Sequence, residues 1–196
     1  MKETAGCMQG KVEILDKIEK ISYITPPSSC VFVSTLSKDG VRNVAPFAQF
    51  MVVSSKPPIL ALGISPKSDT YRNIVDTKQF VVAVPTKKIL DKFVKTADKV
   101  EDEFTYAGLT PYASTHIAPL KIKECSINIE CELHWMQESG NHFVICGNVI
   151  SADCDSELVQ FANDNVKMRT SFDAIYYIGD RNTFGIGFSK IENTGN

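Results

Sequence analysis

The stretch from Asn43 to Thr86, NVAPFAQFMVVSSKPPILALGISPKSDTYRNIVDTKQFVVAVPT, constrains this chain most. An apolar run bent by Pro46 leads into a hydroxyl-rich turn, a second apolar run and a short amphipathic segment opened by Ser65, Lys67 and Ser68. Proline has no N–H, so a strand carrying Pro46 must be bulged or lie at an edge there, leaving main-chain groups free for a ligand. PPILALGIS is apolar on both faces, as suits a strand buried in a barrel wall. Ser68 or Asp69 is the expected N-cap of a helix over SDTYRNIVDT, with Tyr71, Ile74 and Val75 turned inward.

The rest of the chain repeats this strand-and-turn grammar. CVFVSTL reads as a strand, and SKDG joins it to VRNVAPFAQFMVVSS as an Asp-Gly hairpin. FVVAVP is a strand, after which Thr86 is expected to cap KKILDKFVKTA, whose Ile89, Leu90, Phe93, Val94 and Ala97 form one stripe read as core. EDEFTYAGLTP reads as a loop. ECSINIECELHW alternates, with Cys125, Ile127, Ile129, Cys131, Leu133 and Trp135 on an apolar face and Asn128, Glu130 and Glu132 among those opposite. It pairs across ESGN with HFVICGNVI. ELVQFAND reads as a late helix, and AIYYIG and FGIGF as closing strands. KVEILDKIEKI, with Val12, Leu15, Ile18 and Glu19 at helical spacing, suggests a helical or mobile lead of about twenty residues, stopped by Pro26-Pro27. Consecutive hairpins with helical insertions point to one mainly β domain over residues 1–196, an antiparallel barrel and not a parallel α/β sheet.

Several classes of function are disfavoured. With 43% hydrophobic residues in 196, the chain can bury a real core, but a net charge of -2 with scattered Lys and Arg offers nucleic acid no basic surface. KVEILDKIEK lacks the apolar core of a signal peptide, and no run approaches the roughly 18 apolar residues of a membrane helix. A soluble, cytoplasmic protein is expected. The six cysteines form no CxxC pair, which removes the strongest metal signature. Cys125 and Cys131 read as small buried hydrophobes. P-loop, HExxH, GxSxG and Rossmann GxGxxG motifs are all absent.

The remaining constellation suits a flat aromatic ligand with a phosphate tail. A flavin requires polar groups at its pyrimidine edge, an apolar floor and donors around its phosphate. Asn43, the main chain of Val44, Ala45, Pro46, Phe47 and Ala48, and the Phe47 ring could supply the first two. Ser65, Lys67, Ser68 and Thr70 stand where unpaired N–H groups and the helix dipole attract an anion, with Asn73 one turn on. The same hydroxyls are equally what a ligand-free helix uses as caps, and Ser54-Ser55 before Pro57-Pro58 could be a plain turn.

The ordered series VSTLSKDGVRNVAPFAQFMVVSSKPPILALGI, SDTYRNIVDTKQFVVAVPT, AGLTP, KECSINIECEL and GNHFVICGNVI resembles the flavin reductase-like, FMN-binding split-barrel family, which includes flavoredoxins. The resemblance implies a six-stranded antiparallel split barrel with Greek-key connections, working as a homodimer with flavin near the subunit interface. It implies FMN rather than FAD, NAD(P)H as transient reductant, and a flavin lined by Thr35, Asn43 to Ala48, Ser54, Ser65, Lys67, Thr70 and Asn73. His142 matches a histidine that faces the flavin or nicotinamide in many members; on its own it reads as a solvated turn residue. Ala48 stands where many members carry Ser, Lys78-Gln79 where Gly-Glu is frequent, and Asn148 where Glu is common. The first departure touches the ring; the others read as peripheral. Three functions follow from the resemblance: a nicotinamide-dependent flavin or ferric reductase, an electron carrier reduced by a redox protein partner, or a flavin-binding barrel without turnover.

Overall fold

The computed structural model describes residues 21, 25–162, 165–168, 173–178 and 184–187. The lead segment expected to be helical, and Cys7 within it, lie outside these residues. In chain order the strands and helices are β1 (Ser28–Ser29), β2 (Val31–Leu36), β3 (Arg42–Phe47), β4 (Phe50–Ser55), β5 (Pro58–Ile64), α1 (Asp69–Thr77) and β6 (Gln79–Val84). A 3-10 turn (Lys87–Ile89) then leads into α2 (Leu90–Lys95), followed by α3 (Glu103–Ala107), β7 (Pro111–Tyr112), β8 (Lys121–Ile122), β9 (Ile127–Ser139) and β10 (His142–Cys154). The chain closes with β11 (Val159–Ala162), β12 (Asn165–Met168), β13 (Ala174–Tyr177) and β14 (Phe184–Gly187).

The main sheet is antiparallel, in the order β3-β2-β6-β9-β10-β5-β4, so it has seven strands where six were expected. Hairpins build most of it. Gly40 (φ 82°) and Gly140 (φ 62°) occupy the left-handed region in the two predicted turns, where a Cβ would be strained. The connection through α1 carries the chain from β5, near one end of the order, to β6 between β2 and β9. The sheet curls so that the two ends share a core: Val31 and Val33 of β2 pack with Leu60, Leu62 and Ile64 of β5, Phe80 and Val82 of β6, and Cys131 and Ile145. The other face is buried too. Phe32, Val44 and Ala83 turn outward onto Phe93, Phe104, Leu109, Cys125 and Ile175, which explains why VFVSTL and QFVVAV are apolar at successive positions.

Five local expectations give way. ELVQFAND is not helical: Val159 and Phe161 pair with Met168 and Val166 in the β11–β12 ladder, so a period of two prevails. EDEFTYAGLTP contains α3, capped by Asp102, whose carboxylate accepts from the Thr105 N–H, and ended by Gly108 at φ 67°. Those cap residues were legible in the sequence. The β9 alternation breaks at a bulge, because Leu133 faces Gly147 and Trp135 faces Cys146, leaving His134 unpaired. Past that point Met136 joins the inner core and Trp135 is 45% exposed. Before it, Asn128 and Glu130 on the supposed polar face are buried. Cys125 and Cys131 are both buried as expected, but in different clusters.

Asn128 and Glu130 are buried because they hold the segment between α3 and β9. Glu130 accepts from the Thr115 and His116 N–H groups (2.9 and 2.8 Å) and pairs with Lys121 (2.7 Å), which also reaches Asp153 (2.6 Å). Asn128 exchanges hydrogen bonds with both main-chain groups of Ile122. Burial alone would raise the Glu130 pKa, but the Lys121 ammonium and the two amides hold it at about 2. Among the described residues, no helix is long and apolar enough to cross a membrane.

Candidate functional site

The sequence-predicted residues separate into distinct groups. At the start of α1, Ser68 is the N-cap: its hydroxyl accepts from the Tyr71 N–H (3.1 Å) and donates to the Ser65 carbonyl (2.8 Å). The Lys67 N–H leans on the Ser65 hydroxyl (3.4 Å). Lys67 itself is exposed and forms no ion pair among the described residues, whereas Arg72 is committed to Asp69 and to the Lys67 carbonyl. A nine-residue helix thus presents its N-terminus with an uncommitted cation beside it.

Thr35, Asn43, Thr70 and Asn73 come together, but inside the protein. Asn43 Oδ1 accepts from the Thr35 and Thr70 hydroxyls (3.2 and 3.1 Å), and Asn73 Nδ2 donates to Thr35 Oγ1 (3.0 Å). All four are at most 8% exposed. With the Asn43 carbonyl oxygen as acceptor, Thr35 gives its proton to Asn43 and accepts from the Asn73 NH2 group. This network ties α1 to the β2–β3 hairpin, and it is why the inward face of α1 carries Thr70 and Asn73 beside Ile74, while Tyr71 and Val75 are only partly buried.

The third group lines a cavity of about 610 Å³, within the range of small-molecule sites. Pro46, Phe47 and Ala48 form one wall, and Phe93, Val94, Tyr177 and Phe184 stand opposite or around them. Of the stripe expected to be core, Ile89 and Phe93 are buried, but Val94 and Ala97 are exposed and face this cavity. Helical spacing gives a direction to a side chain but not the element it meets, so the sequence carried no signal for Val94, Tyr177 or Phe184 as cavity residues. Cys30 also lines it; burial pushes its thiol up to about 12, with a main-chain hydrogen bond at Tyr177 opposing, so it stays a neutral wall atom. Val44 is fully buried in the outer core, and Ala45 is partly buried in β3. Asn43 lies four residues from Phe47 along β3, about 13 Å at strand rise, and lines a different cavity.

His142 and Ser54 lie toward opposite ends of β5, on the two strands that flank it. Phe143 pairs with Ile64, which sets His142 at the Ser65 end, with its ring nitrogen 2.8 Å from Asn141 Oδ1. Ser54 pairs with Ile59, about 16 Å away along β5, so within one chain it does not join Ser65 and Lys67. Lys78 holds φ 63° as the C-cap of α1. It is thus a strained backbone position. Among the described residues, no group of three His, Cys, Asp or Glu could hold a metal ion.

The family described as "Flavin reductase like domain" matches residues 25–172, and the chain belongs to it. A protein of Aquifex aeolicus is 38% identical over 116 residues, covering 55% of this chain and 59% of its own length. A flavin reductase of Pseudomonas putida is 29% identical over 131 residues, covering 67% of this chain and 75% of its own. The chain thus spans about three fifths of the Aquifex relative. Among solved structures, 2-nitrobenzoate 2-nitroreductase NbaA of Pseudomonas fluorescens superposes with a TM-score of 0.81 at 20% identity, covering 97% of this chain and 96% of that one. Flavoredoxin of Desulfovibrio vulgaris (Miyazaki F) superposes with a TM-score of 0.75 at 18% identity, covering 96% and 97%. A protein with a split barrel domain from Shewanella frigidimarina superposes with a TM-score of 0.78 at 19% identity, covering 94% of each chain, and these likenesses establish the antiparallel split-barrel fold.

Proposed function

We propose that this chain is a flavoprotein oxidoreductase that binds FMN and accepts hydride from NADH or NADPH. The observation that carries this reading is the apolar cavity walled by Pro46, Phe47 and Ala48; separately, the uncommitted Lys67 at the N-terminus of α1 offers a cation for a phosphate. In it, Ser65, Lys67 and Ser68 hold the phosphate, and the Pro46–Ala48 segment lies against the ring system. The buried Thr35–Asn43–Thr70–Asn73 network holds α1 in register with β3, so its part is to position both. Bound flavin would supply the two-electron chemistry, and the chain's own residues would orient the reactants and exclude water. His142, at the Ser65 end of β10, is the candidate contact for flavin or nicotinamide.

A homodimer working in the cytoplasm completes the proposal. Met51, Val52 and Val53 of β4, Trp135 of β9 and Ile150 of β10 are 43–66% exposed, apolar surface that favours burial against a second copy. Ser54 lies in the same strand, beside that surface. A carrier reduced by a redox protein partner is the competing reading, and one experiment separates the two.

The experiment is anaerobic mixing of the flavin-loaded protein with NADH or NADPH, after mass spectrometry of the flavin released by heat. Rapid bleaching with FMN released supports the reductase reading, and His142→Ala should slow that bleaching. Loss of colour only with a protein donor would favour the carrier. Failure to bind FMN or FAD at all would refute both.

A further inference from the structure

The cavity of about 610 Å³ beside Pro46 and Ala48 has aromatic walls and a single acid. Phe47, Phe93, Tyr177 and Phe184 line it, Asp98 is the one charged residue among its described walls, and no Lys, Arg or His is among them. Phe93 and Phe184 meet edge to face, with ring centres 5.9 Å apart and 89° between their planes, and Tyr177 is tilted against Phe184 at 6.4 Å and 59°. Neither is a stacked pair, so ring surface is left for a third, flat partner. The Tyr177 hydroxyl has no hydrogen-bond partner among the described residues, which leaves a neutral polar group for a substituent on that partner.

Asp98 reaches this cavity from the turn that follows α2. Its N–H donates to the Lys95 carbonyl (3.0 Å), and its Oδ2 accepts from the Tyr106 hydroxyl (2.9 Å). The second bond holds the carboxylate in place but brings no opposite charge to it. Lys95 and Lys99 flank Asp98 in the chain and are exposed, yet Asp98 forms no ion pair among the described residues. The face of an aromatic ring is negative, and so is a carboxylate, so the two kinds of wall attract the same ligand: a flat ring that carries positive charge. A neutral ring gains from the apolar walls alone, and an anionic ring is repelled by the one charge present.

We propose that the Asp98 side of this cavity binds a planar aromatic cation of the pyridinium class, and that Asp98 sets the preference for positive charge. The link to turnover rests on the flavoprotein reading, in which the flavin ring lies against the Pro46–Ala48 wall and leaves the α2 side to a second ring. A reduced nicotinamide that gives up its C4 hydride, with both electrons of the C–H bond, is left as a pyridinium. The cavity therefore holds the oxidised nicotinamide ring more tightly than a neutral ring of the same shape. The charge preference itself does not depend on flavin.

The test uses three rings of nearly one shape: 1-methylnicotinamide, a cation, nicotinamide, which is neutral, and nicotinate, an anion. Each is titrated into the full chain at neutral pH and low salt, with and without FMN, and binding is followed by ligand-observed NMR. 1-Methylnicotinamide should bind at least about fivefold tighter than nicotinamide, the scale of one cation–π contact, and nicotinate should bind weakest. Asp98→Asn should shrink that preference, and Asp91→Asn, an exposed residue of α2 outside the cavity walls, should keep it. Val94→Arg, which sets a cation on the same wall, should reverse the order. Equal binding of all three rings, no binding of 1-methylnicotinamide, or a preference that Asp98→Asn leaves intact would overturn the proposal. Should Asp98→Asn fail to fold, Val94→Arg decides: a reversed order supports the site and an unchanged one refutes it. A protein that binds no FMN yet keeps the order would refute the flavin reading and leave this site standing, whereas bound FMN with three equal rings would do the opposite.

Discussion

Asn73 Nδ2 donates to Thr35 Oγ1 across 3.0 Å, a buried bond that ties the middle of α1 to the end of β2. It closes a network in which Asn43 Oδ1 accepts from two hydroxyls and Thr35 both donates and accepts. Asn73→Ala would leave the Thr35 lone pair without its donor in the interior, so the variant should lose about 1–3 kcal/mol. Urea denaturation followed by circular dichroism checks the loss, and an unchanged midpoint would mean that the network is dispensable.

Lys67 should matter for the phosphate and not for the ring. Removing a cation at a helix N-terminus forfeits a charge-assisted hydrogen bond of about 1.5–3 kcal/mol, roughly a ten- to hundredfold weaker affinity. Fluorescence titration of Lys67→Ala should find FMN binding weakened on that scale and riboflavin binding unaltered. Equal weakening of both ligands would move the phosphate away from α1.

Lys78 adopts φ 63°, a conformation that costs a side-chain-bearing residue about 1 kcal/mol relative to glycine. Its N–H closes α1 on the Ile74 carbonyl and its carbonyl accepts from Leu133 (2.7 Å), so the backbone is held there from both sides. Lys78→Gly should therefore raise stability by about 0.5–1 kcal/mol in equilibrium unfolding, a direction opposite to that of most glycine substitutions. A loss on the same scale would show that the Lys side chain outweighs the backbone strain.

The Lys121–Glu130 pair makes stability depend on pH at both extremes. Glu130 titrates at about 2 in the folded protein against an ordinary value of 4.5. Its contribution is therefore complete above about 4.5 and is lost as pH falls toward 2. The Lys121 pKa is raised, since Asp153 and Glu130 outweigh the opposing effect of burial; its contribution is complete below the ordinary 10.5 and is lost above it. Glu130→Gln should cost about 3–5 kcal/mol at neutral pH, because it breaks a buried pair. It should also flatten the acid limb of a stability profile measured from pH 2 to 7, and a limb that stays as steep would place acid lability in other carboxylates.

What was legible in the chain came from short-range rules. The turns at Gly40 and Gly140, the Ser68 cap, the double-faced apolar runs of β2 and β6 and the burial of Cys125 and Cys131 all follow from residue type and local period. Their order along the chain sufficed for an antiparallel barrel, because hairpins dictate which strands are neighbours. Other features depended on meetings between distant segments. A one-residue bulge opposite Cys146 and Gly147 reversed the exposure of Trp135, and a lysine and a loop gave buried partners to Asn128 and Glu130. Likewise, Val94 and Tyr177 became cavity walls and Thr70 and Asn73 became interior ties only when helices closed over the sheet. Local sequence determines the direction in which a side chain leaves the backbone; whether it then meets solvent, a core or an opposing polar group is set by long-range packing, which alone determined the site.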